Sequence, residues 1–269
     1  MVTGAGSGLG GAMADRFAHA GMSVMALDID GDAAERHAQA IRDRGGQAIG
    51  LRVDVADSAA LAQAAAAAKA AFGGCNVLCA NVGVQQFGAI DKLTDNDWRW
   101  VLDVNVLGVV HTVRAFLPLL RASEGLRRVV LTASSSVLAP GVRMAAYIAS
   151  KYAVMGYGET LRMELAAEDI GVSIFFPAGM RTRHLESSRL ARPDALGPST
   201  LVREDIDVMM ASRKFDAAES VATPEHATRH LLDELAADAR FIVSHGAYRS
   251  ELVGRCDDLI AAFDRAQHD

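Results

Sequence analysis

The stretch Thr3-Gly4-Ala5-Gly6-Ser7-Gly8-Leu9-Gly10-Gly11 decides the fold, and it runs straight into a helical pattern from Ala12 to Ala20. Glycines let a backbone come close to a phosphate, and a helix N-terminus offers free N–H groups and a favourable dipole. Two registers fit the run. Gly6-x-Gly8-x-x-Gly11 matches the general dinucleotide fingerprint, and Gly4-x-x-x-Gly8-x-Gly10 is a second spacing that follows a threonine. A flexible N-terminal loop shares this composition, but the next apolar run argues against one: Ser23-Val24-Met25-Ala26-Leu27 reads as a strand and ends at Asp28. A carboxylate about twenty residues beyond the glycines is where nucleotide-binding βαβ units hold a ribose diol.

Outward from this unit the alternation continues. Asp30 to Arg44 reads as a helix, Gln47 to Val53 as a strand ending in Asp54-Val55, and Asp57 to Phe72 as an alanine-rich helix. Asn76 to Ala80 is the next buried strand, followed by Asn81-Val82-Gly83. Asp95 to Leu120 is a long helical pattern with Asn105 in its middle, a mediocre residue for that position with apolar neighbours. Arg127 to Thr132 is a strand leading to Ala133-Ser134-Ser135-Ser136; a helix runs from Met144 to about Glu168; Val172 to Phe176 is a strand ending in Pro177-Ala178-Gly179-Met180-Arg181-Thr182. Residues 183–222 lack a clear period, apart from a short helix expected around Asp205 to Ser212. Pro224 opens a helix to about Ala237, Arg240 to Ser244 is a last strand, and Ser250 to Arg265 a last helix. Regular βα alternation predicts an α/β fold: a Rossmann-like, doubly wound parallel sheet with helices on both faces, as a single domain over 1–269. Only Met1 and Val2 precede Thr3, so the first strand is truncated. The sequence predicts either a natural start further upstream or an unusually fragile chain.

With 269 residues, 51% hydrophobic, the chain has ample material for a core. A net charge of −6 does not suit a nucleic-acid binder, and no apolar run reads as a membrane span. There is no signal-peptide pattern, and the odd set Cys75, Cys79 and Cys256 suggests reduced thiols in a cytoplasmic protein. Cys75 and Cys79 have no partner pair at ligand spacing, so no metal site is expected.

Candidate chemistry lies in Tyr147-Ile148-Ala149-Ser150-Lys151. A spacing of four puts Tyr147 and Lys151 on one helix face. A free phenol titrates near pH ~10, and a cation held close favours its phenolate. A tyrosine so tuned takes a proton from an alcohol or returns one to a carbonyl. Asp28 bears on the nucleotide: its carboxylate accepts from a ribose diol and repels a ribose phosphate, with Asp30 adding like charge and no Arg or Lys in the glycine turn. This predicts NAD rather than NADP. Capping of the helix that begins near Asp30 is the plain structural alternative for Asp28.

Taken in order, Thr3-Gly4-x-x-x-Gly8-x-Gly10, Asp54-Val55, Asn81-x-Gly83, Asn105, Ser134, Tyr147-x-x-x-Lys151 and Pro177…Thr182 resemble the motifs of the classical short-chain dehydrogenases/reductases over nearly the whole chain. The resemblance implies a seven-stranded sheet and a homotetramer or homodimer built through helices matching 95–120 and 145–168. It implies that Tyr147 is the acid/base and that Lys151 lowers its pKa and binds the nicotinamide ribose. Ser134 would donate to the substrate oxygen, and Asn105 would hold a water linking Lys151 to solvent. On the cofactor side it places the turn of Gly4, Ser7, Gly8, Leu9 and Gly10 against the phosphates and Asp54 and Val55 beside the adenine. Asn81 and Gly83 would lie along the adenosine ribose, Pro177 and Gly179 near the nicotinamide, and Thr182 on the carboxamide. The chain departs from the pattern at Val82, where alanine is usual, and at Ala178, with glycine one position late. A finer resemblance, carried by Pro177 to Thr182, Ser187-Ser188-Arg189-Leu190 and Phe241-Ile242-Val243-Ser244-His245, is to bacterial dehydrogenases that oxidise the benzylic alcohol of lignin-derived aryl ethers.

The expected activity is hydride transfer between NAD and a secondary alcohol or ketone. A catalytically silent cofactor-binding member, an NADP-dependent carbonyl reductase, and an epimerase or dehydratase on the same scaffold are the alternatives. Phe87, Leu138, Val142, Met144, Met209, Met210 and Phe215 are candidates for an apolar substrate pocket. Arg183, Arg189, Arg192 and Arg203 face a choice between a substrate carboxylate and a solvated loop. Residues 183–222 are expected to close over substrate, since long segments of this kind are functional or disordered.

Overall fold

The computed structural model describes residues 1–180, 182–212 and 221–266. Arg181 and Phe215 of the sequence reading lie outside them. The described strands are β1 (Val2–Thr3), β2 (Val24–Asp28), β3 (Ala48–Arg52), β4 (Val77–Ala80), β5 (Arg128–Thr132), β6 (Gly171–Phe176), β7 (Gly179–Met180), β8 (Val221–Ala222) and β9 (Phe241–Val243). Seven of them form a parallel sheet in the order β3-β2-β1-β4-β5-β6-β9, and β7 pairs with β8 in a separate parallel ladder. The helices are α1 (Gly8–His19), α2 (Gly31–Asp43), α3 (Ser58–Phe72), α4 (Asp95–Leu102), α5 (Gly108–Ala122), α6 (Ala145–Leu165), α7 (His184–Leu190), α8 (Arg203–Ala211), α9 (Pro224–Ala227), α10 (Leu231–Ala236) and α11 (Arg249–Ala266).

Strand residues alternate between two cores, as a period of two requires when both sheet faces are covered. Met25, Leu27, Leu78, Ala80, Val129 and Leu131 pack against Leu61 of α3, Phe116 of α5 and Val154 of α6. Val24, Ala26, Val77, Cys79 and Val130 pack against Met13 and Phe17 of α1, Ile41 of α2 and Leu231 of α10. Strand order reverses between β1 and β4, and a doubly wound sheet opens its binding crevice at that switch point. The short β1 is held there from both sides. It pairs with β2 and β4, and the Met1 ammonium donates to the Val77 carbonyl at 2.8 Å.

Four differences from the sequence reading matter. The pattern from Asp95 is not one α-helix: α4 and α5 are joined by a π-helical turn, Asp103–Leu107, that contains Asn105. The whole run Asp95–Ala122 is long and apolar enough to cross a membrane, contrary to expectation, but it packs Trp100, Val101, Val113, Phe116 and Leu120 into the protein. The helix expected from Pro224 to Ala237 breaks into α9 and α10, with Thr228 between them. Residues 183–212 carry two helices, α7 and α8, of which only α8 was expected.

That segment is solvent-facing over much of its length but clasped at two points. Arg192 reaches Asp97 at 2.7 Å, with side-chain exposures of 6% and 0%, and its guanidinium lies 5.4 Å from the Trp100 ring. Burial works to raise the Asp97 pKa, yet hydrogen bonds from Thr94 and Arg192 hold it below the ordinary carboxylate value. Arg143 makes a second tie, 3.3 Å from buried Asp205 at the start of α8. Arg192 and Arg143 therefore serve structure, whereas Arg183, Arg189 and Arg203 are exposed. Replacing Arg192 with leucine leaves a buried carboxylate without its cation, and breaking such pairs costs ~3–5 kcal/mol. The urea midpoint should drop accordingly, with faster proteolytic nicking between 183 and 212. An unchanged midpoint would refute the clasp.

Candidate active site

The glycine turn forms a cradle because side chains do not fit in it. A Cβ on Gly10 would lie 2.1 Å from the Gly4 carbonyl oxygen, and Gly8 takes φ +56°. Ser7 is the N-cap of α1 but makes no side-chain capping bond, so the N–H groups of the first turn stay available to an anion. Asp28 stands at the end of β2, where its two carboxylate oxygens accept from the N–H groups of Gly6 and Asp30, each at 3.0 Å. Burial raises its pKa, and the bonds from Asp30 and Gly6 counter the rise. The cap of α2 is Asp30, which accepts from Ala33 N–H; the capping alternative for Asp28 is thereby removed. These residues fit a dinucleotide, with an anion cradle and a carboxylate that has lone pairs left for a diol.

From this cradle a cleft of about 1710 Å³ runs across the C-terminal strand ends. Leu9, Asp54, Val55, Asn81, Gly83, Ser134, Tyr147, Lys151, Pro177, Gly179 and Thr182 all line it together with Asp28. Asn81 also knits three strands: its amide donates to the Thr3 carbonyl at 3.1 Å and its oxygen accepts from Thr132 Oγ1 at 3.1 Å. Thr182 faces Gly8 across the cleft, its Cγ2 3.5 Å from where a Gly8 Cβ would stand. Of the expected site residues, Asn105 alone lies behind the cleft wall. It is fully buried, and its amide clamps the Val84 peptide: Oδ1 accepts from Val84 N–H at 2.7 Å, while Nδ2 donates to the Val84 carbonyl at 3.0 Å and Ser150 Oγ at 2.9 Å. The extra residue of a π-turn is a common feature of functional sites, and here Asn105 is on it.

Lys151 is 2% exposed, and its ammonium donates to the Thr132 carbonyl at 2.9 Å. Burial lowers its pKa to about 8. Its nitrogen lies 5.8 Å from the centre of the Tyr147 ring. Burial raises the Tyr147 pKa, and hydrogen bonding from Ser134 and Gln85 opposes that rise. The phenol is thus shifted up, not down as the spacing to Lys151 alone suggested, because the apolar walls outweigh the polar partners. Ser134 caps a 3-10 turn, and Ser136 donates to its Oγ through both N–H (3.1 Å) and hydroxyl (2.9 Å), fixing the Ser134 hydroxyl. Phe87 meets Tyr147 edge-on at 5.8 Å, with Met144 and Met209 in the same apolar cluster. Of the other pocket candidates, Leu138 packs away from this cluster, and Val142 and Met210 are exposed.

Residues 1–193 match the family model described as short chain dehydrogenase. The chain belongs to the short-chain dehydrogenases. Relatives of this oxidoreductase include the C alpha-dehydrogenase of a Sphingobium species, 33% identical over 206 residues that cover 76% of this chain and 67% of the relative. Another is the 1-deoxy-11-beta-hydroxypentalenate dehydrogenase of Streptomyces exfoliatus, 34% identical over 77% of this chain and 75% of the relative. Among solved structures, a short-chain dehydrogenase/reductase from Burkholderia phymatum in complex with NAD aligns with a TM-score of 0.87 at 31% identity, covering 97% of this chain and 93% of that one.

Ser136, Gln85 and His184 were not singled out from the sequence. Ser136 was visible only as part of a serine run. His184 opens α7 and hydrogen-bonds the Gly83 carbonyl at 2.8 Å; burial and the Lys151 charge lower its pKa, with the Gly83 bond acting against them. A short-chain dehydrogenase that buries a charged lysine carries a stability cost with a defined pH signature. The folded Lys151 titrates at about 8, below its ordinary 10.5, so the penalty is full below pH 8 and is relieved as pH rises towards 10.5. Lys151→Met should therefore melt no lower than the unmodified protein at pH 7, and the unmodified protein should gain on it between pH 8 and 10.5. Calorimetry that finds Lys151→Met markedly less stable at pH 7 would reject the assignment.

Proposed function

We propose that this short-chain dehydrogenase interconverts a secondary alcohol and a ketone using NAD, with the whole chain acting as one cofactor-binding unit and 183–222 as its substrate segment. The observation that carries the reading is the continuity of one cleft from the glycine cradle and Asp28 to Ser134, Tyr147 and Lys151. The glycine cradle from Gly4 to Gly10 and Asp28 would hold NAD, which would supply the hydride acceptor for the carbinol carbon. Tyr147 then takes the alcohol proton at its phenolic oxygen, and returns it to the ketone oxygen in the reverse direction. Ser134, its hydroxyl oriented by Ser136, donates to the substrate oxygen as charge develops there. Lys151 supplies positive charge beneath the phenol, which favours the phenolate against the effect of burial. Asn105 and its π-turn act as the positioning element that holds the Gly83–Val84 strand end in place. Exposed Leu102, Leu107 and Met163 on the 95–107 and α6 surfaces support self-association as a dimer or tetramer.

The substrate body is apolar, because Phe87, Met144 and Met209 surround the far side of Tyr147. This agrees with the benzylic class expected from sequence, and the likeness to a C alpha-dehydrogenase supports it. Tyr147→Phe removes the transferable proton and keeps the ring packing. Turnover of a secondary alcohol, followed as NADH absorbance, should fall by at least ~10²-fold with NAD binding retained. Near-normal turnover in that variant would remove Tyr147 from the mechanism.

NAD preference rests on Asp28. A phosphate of about two charges at ~5 Å in an effective dielectric of ~20 is repelled by roughly 7 kcal/mol before screening. A third of that still exceeds tenfold in affinity. The likeness to a structure in complex with NAD points the same way. The ratio of kcat/KM for NAD over NADP should be well above ten and should shrink in Asp28→Ser; parity in the unmodified protein would overturn the preference.

A further inference from the structure

The C-terminal helix α11 borders the cleft without being built into the core. None of its residues is buried, yet Ser250, Glu251, Gly254, Arg255 and Asp258 line the cleft. Among the described residues, Arg255 is the one α11 side chain that hydrogen-bonds to the rest of the fold. Glu251 and Asp258 flank it one turn away on the same helix, where ion pairs form readily. The half-buried guanidinium reaches past them to two main-chain carbonyls and a phenol. Its Nη1 donates to the Val137 carbonyl at 2.6 Å and to the Leu138 carbonyl at 3.1 Å, and its Nη2 donates to the Tyr152 hydroxyl. Tyr152 in turn donates its hydroxyl proton to the same Val137 carbonyl at 2.8 Å, and the guanidinium lies 5.7 Å from the centre of the Tyr152 ring. Arg255, Tyr152 and the Val137 carbonyl thus close a triangle.

The segments joined by this triangle carry the chemistry of the site. Val137 ends the 3-10 turn that Ser134 caps, Leu138 follows it, and Tyr152 follows Lys151 on α6. The last carbonyls of a helical turn have no partner within it. Inside this turn the Ser134 carbonyl accepts from Val137 N–H at 3.1 Å and the Ser135 carbonyl from Leu138 N–H at 2.9 Å, which leaves the Val137 and Leu138 carbonyls to Arg255. A charged donor makes such bonds roughly twice as strong as a neutral one. The planar fork of a guanidinium fixes their direction as well. We infer that Arg255 is a positioning residue that ties α11 to the turn carrying Ser134, so that seating of the C-terminal helix as a wall of the cleft and alignment of the serine hydroxyl occur together. The inference rests on the proposed alcohol oxidation, in which Ser134 donates to the substrate oxygen. Ser136 orients the hydroxyl from within the turn, while Arg255 sets where the turn stands. The near end of the turn is fixed by the sheet, with Ala133 N–H donating to the Phe175 carbonyl at 2.8 Å and Ser135 N–H to the Pro177 carbonyl at 3.0 Å. The far end is fixed by Arg255 and Tyr152. A donor misplaced by about 1 Å can cost ~10²-fold in rate, so a looser far end has a kinetic consequence.

The test compares the unmodified protein, Arg255→Met, Ser134→Ala and the double variant. It follows oxidation of the fastest of a panel of secondary alcohols headed by 1-phenylethanol, with NAD, and amide exchange over residues 134–139 by mass spectrometry. Methionine keeps an apolar stem and removes the fork. Arg255→Met should lower kcat by about tenfold and speed exchange over 134–139, with little change in melting temperature. In the Ser134→Ala background the same substitution should lower kcat by less than about twofold, because effects carried through one group are not additive. Tyr152→Phe, at a partly exposed position, should repeat the pattern at smaller size, and it takes the place of Arg255→Met should that variant fold poorly. A raised KM at unchanged kcat would leave Arg255 as a fastening for α11 alone and overturn the proposal. An equal fall in kcat with and without Ser134 would overturn it as well. If the unmodified protein oxidises no secondary alcohol, the dehydrogenase reading fails and exchange decides the tie by itself: faster exchange over 134–139 in Arg255→Met upholds it, and unchanged exchange overturns it. Turnover by the unmodified protein with neither kcat nor exchange altered in Arg255→Met would keep the dehydrogenase reading and sink the tie.

Discussion

An ammonium group buried among apolar walls must find an acceptor, and Lys151 finds it in the Thr132 carbonyl at the end of β5. Much of the site is shaped around that requirement. Glycine at residue 83 leaves the ammonium its room, since a Cβ there would stand 3.0 Å from the Lys151 nitrogen and 3.4 Å from Asn105 Oδ1. The Gly83–Val84 peptides must then be held without help from a side chain at 83. Asn105 does this from one direction and His184 from the other. The helix carrying Asn105 gives up α-helical regularity over Asp103–Leu107 to deliver it.

The same economy links the substrate segment to the sheet. β7, just before residue 183, pairs with β8 at Val221–Ala222. Between these strands α7 is tied to the β4 turn through His184 and Ser188, and the stretch after it is tied to α4 through Arg192 and Asp97. The start of the segment thus rests directly on Gly83 and Gln85 of the cleft wall. Arg143, which anchors α8 through Asp205, has φ +64°. A non-glycine residue in that region is strained, and such strain is retained where surrounding contacts over-determine it.

The sequence by itself determined the sheet, the helices on its two faces, and the cleft. Those follow from local rules: alternation of apolar runs, glycines where a Cβ has no room, and a carboxylate at the end of β2. It also singled out Tyr147, Lys151 and Ser134, because their chemistry is unusual for the elements that bear them and their order matches one family. Tertiary structure alone decided the rest. The π-turn at Asn105 and the Asp97–Arg192 pair, 95 positions apart in the chain, depend on contacts that no local period encodes. The direction of the Tyr147 shift also came from the fold. Helix spacing brings a cation near the phenol, but the burial that raises its pKa arises only where separate segments converge, Phe87, Met144 and Met209 among them. Gln85 and Gln86 are chemically identical in the sequence; their division into a cleft-facing amide and a buried strut arises only when α7 and the 192–200 stretch close against them.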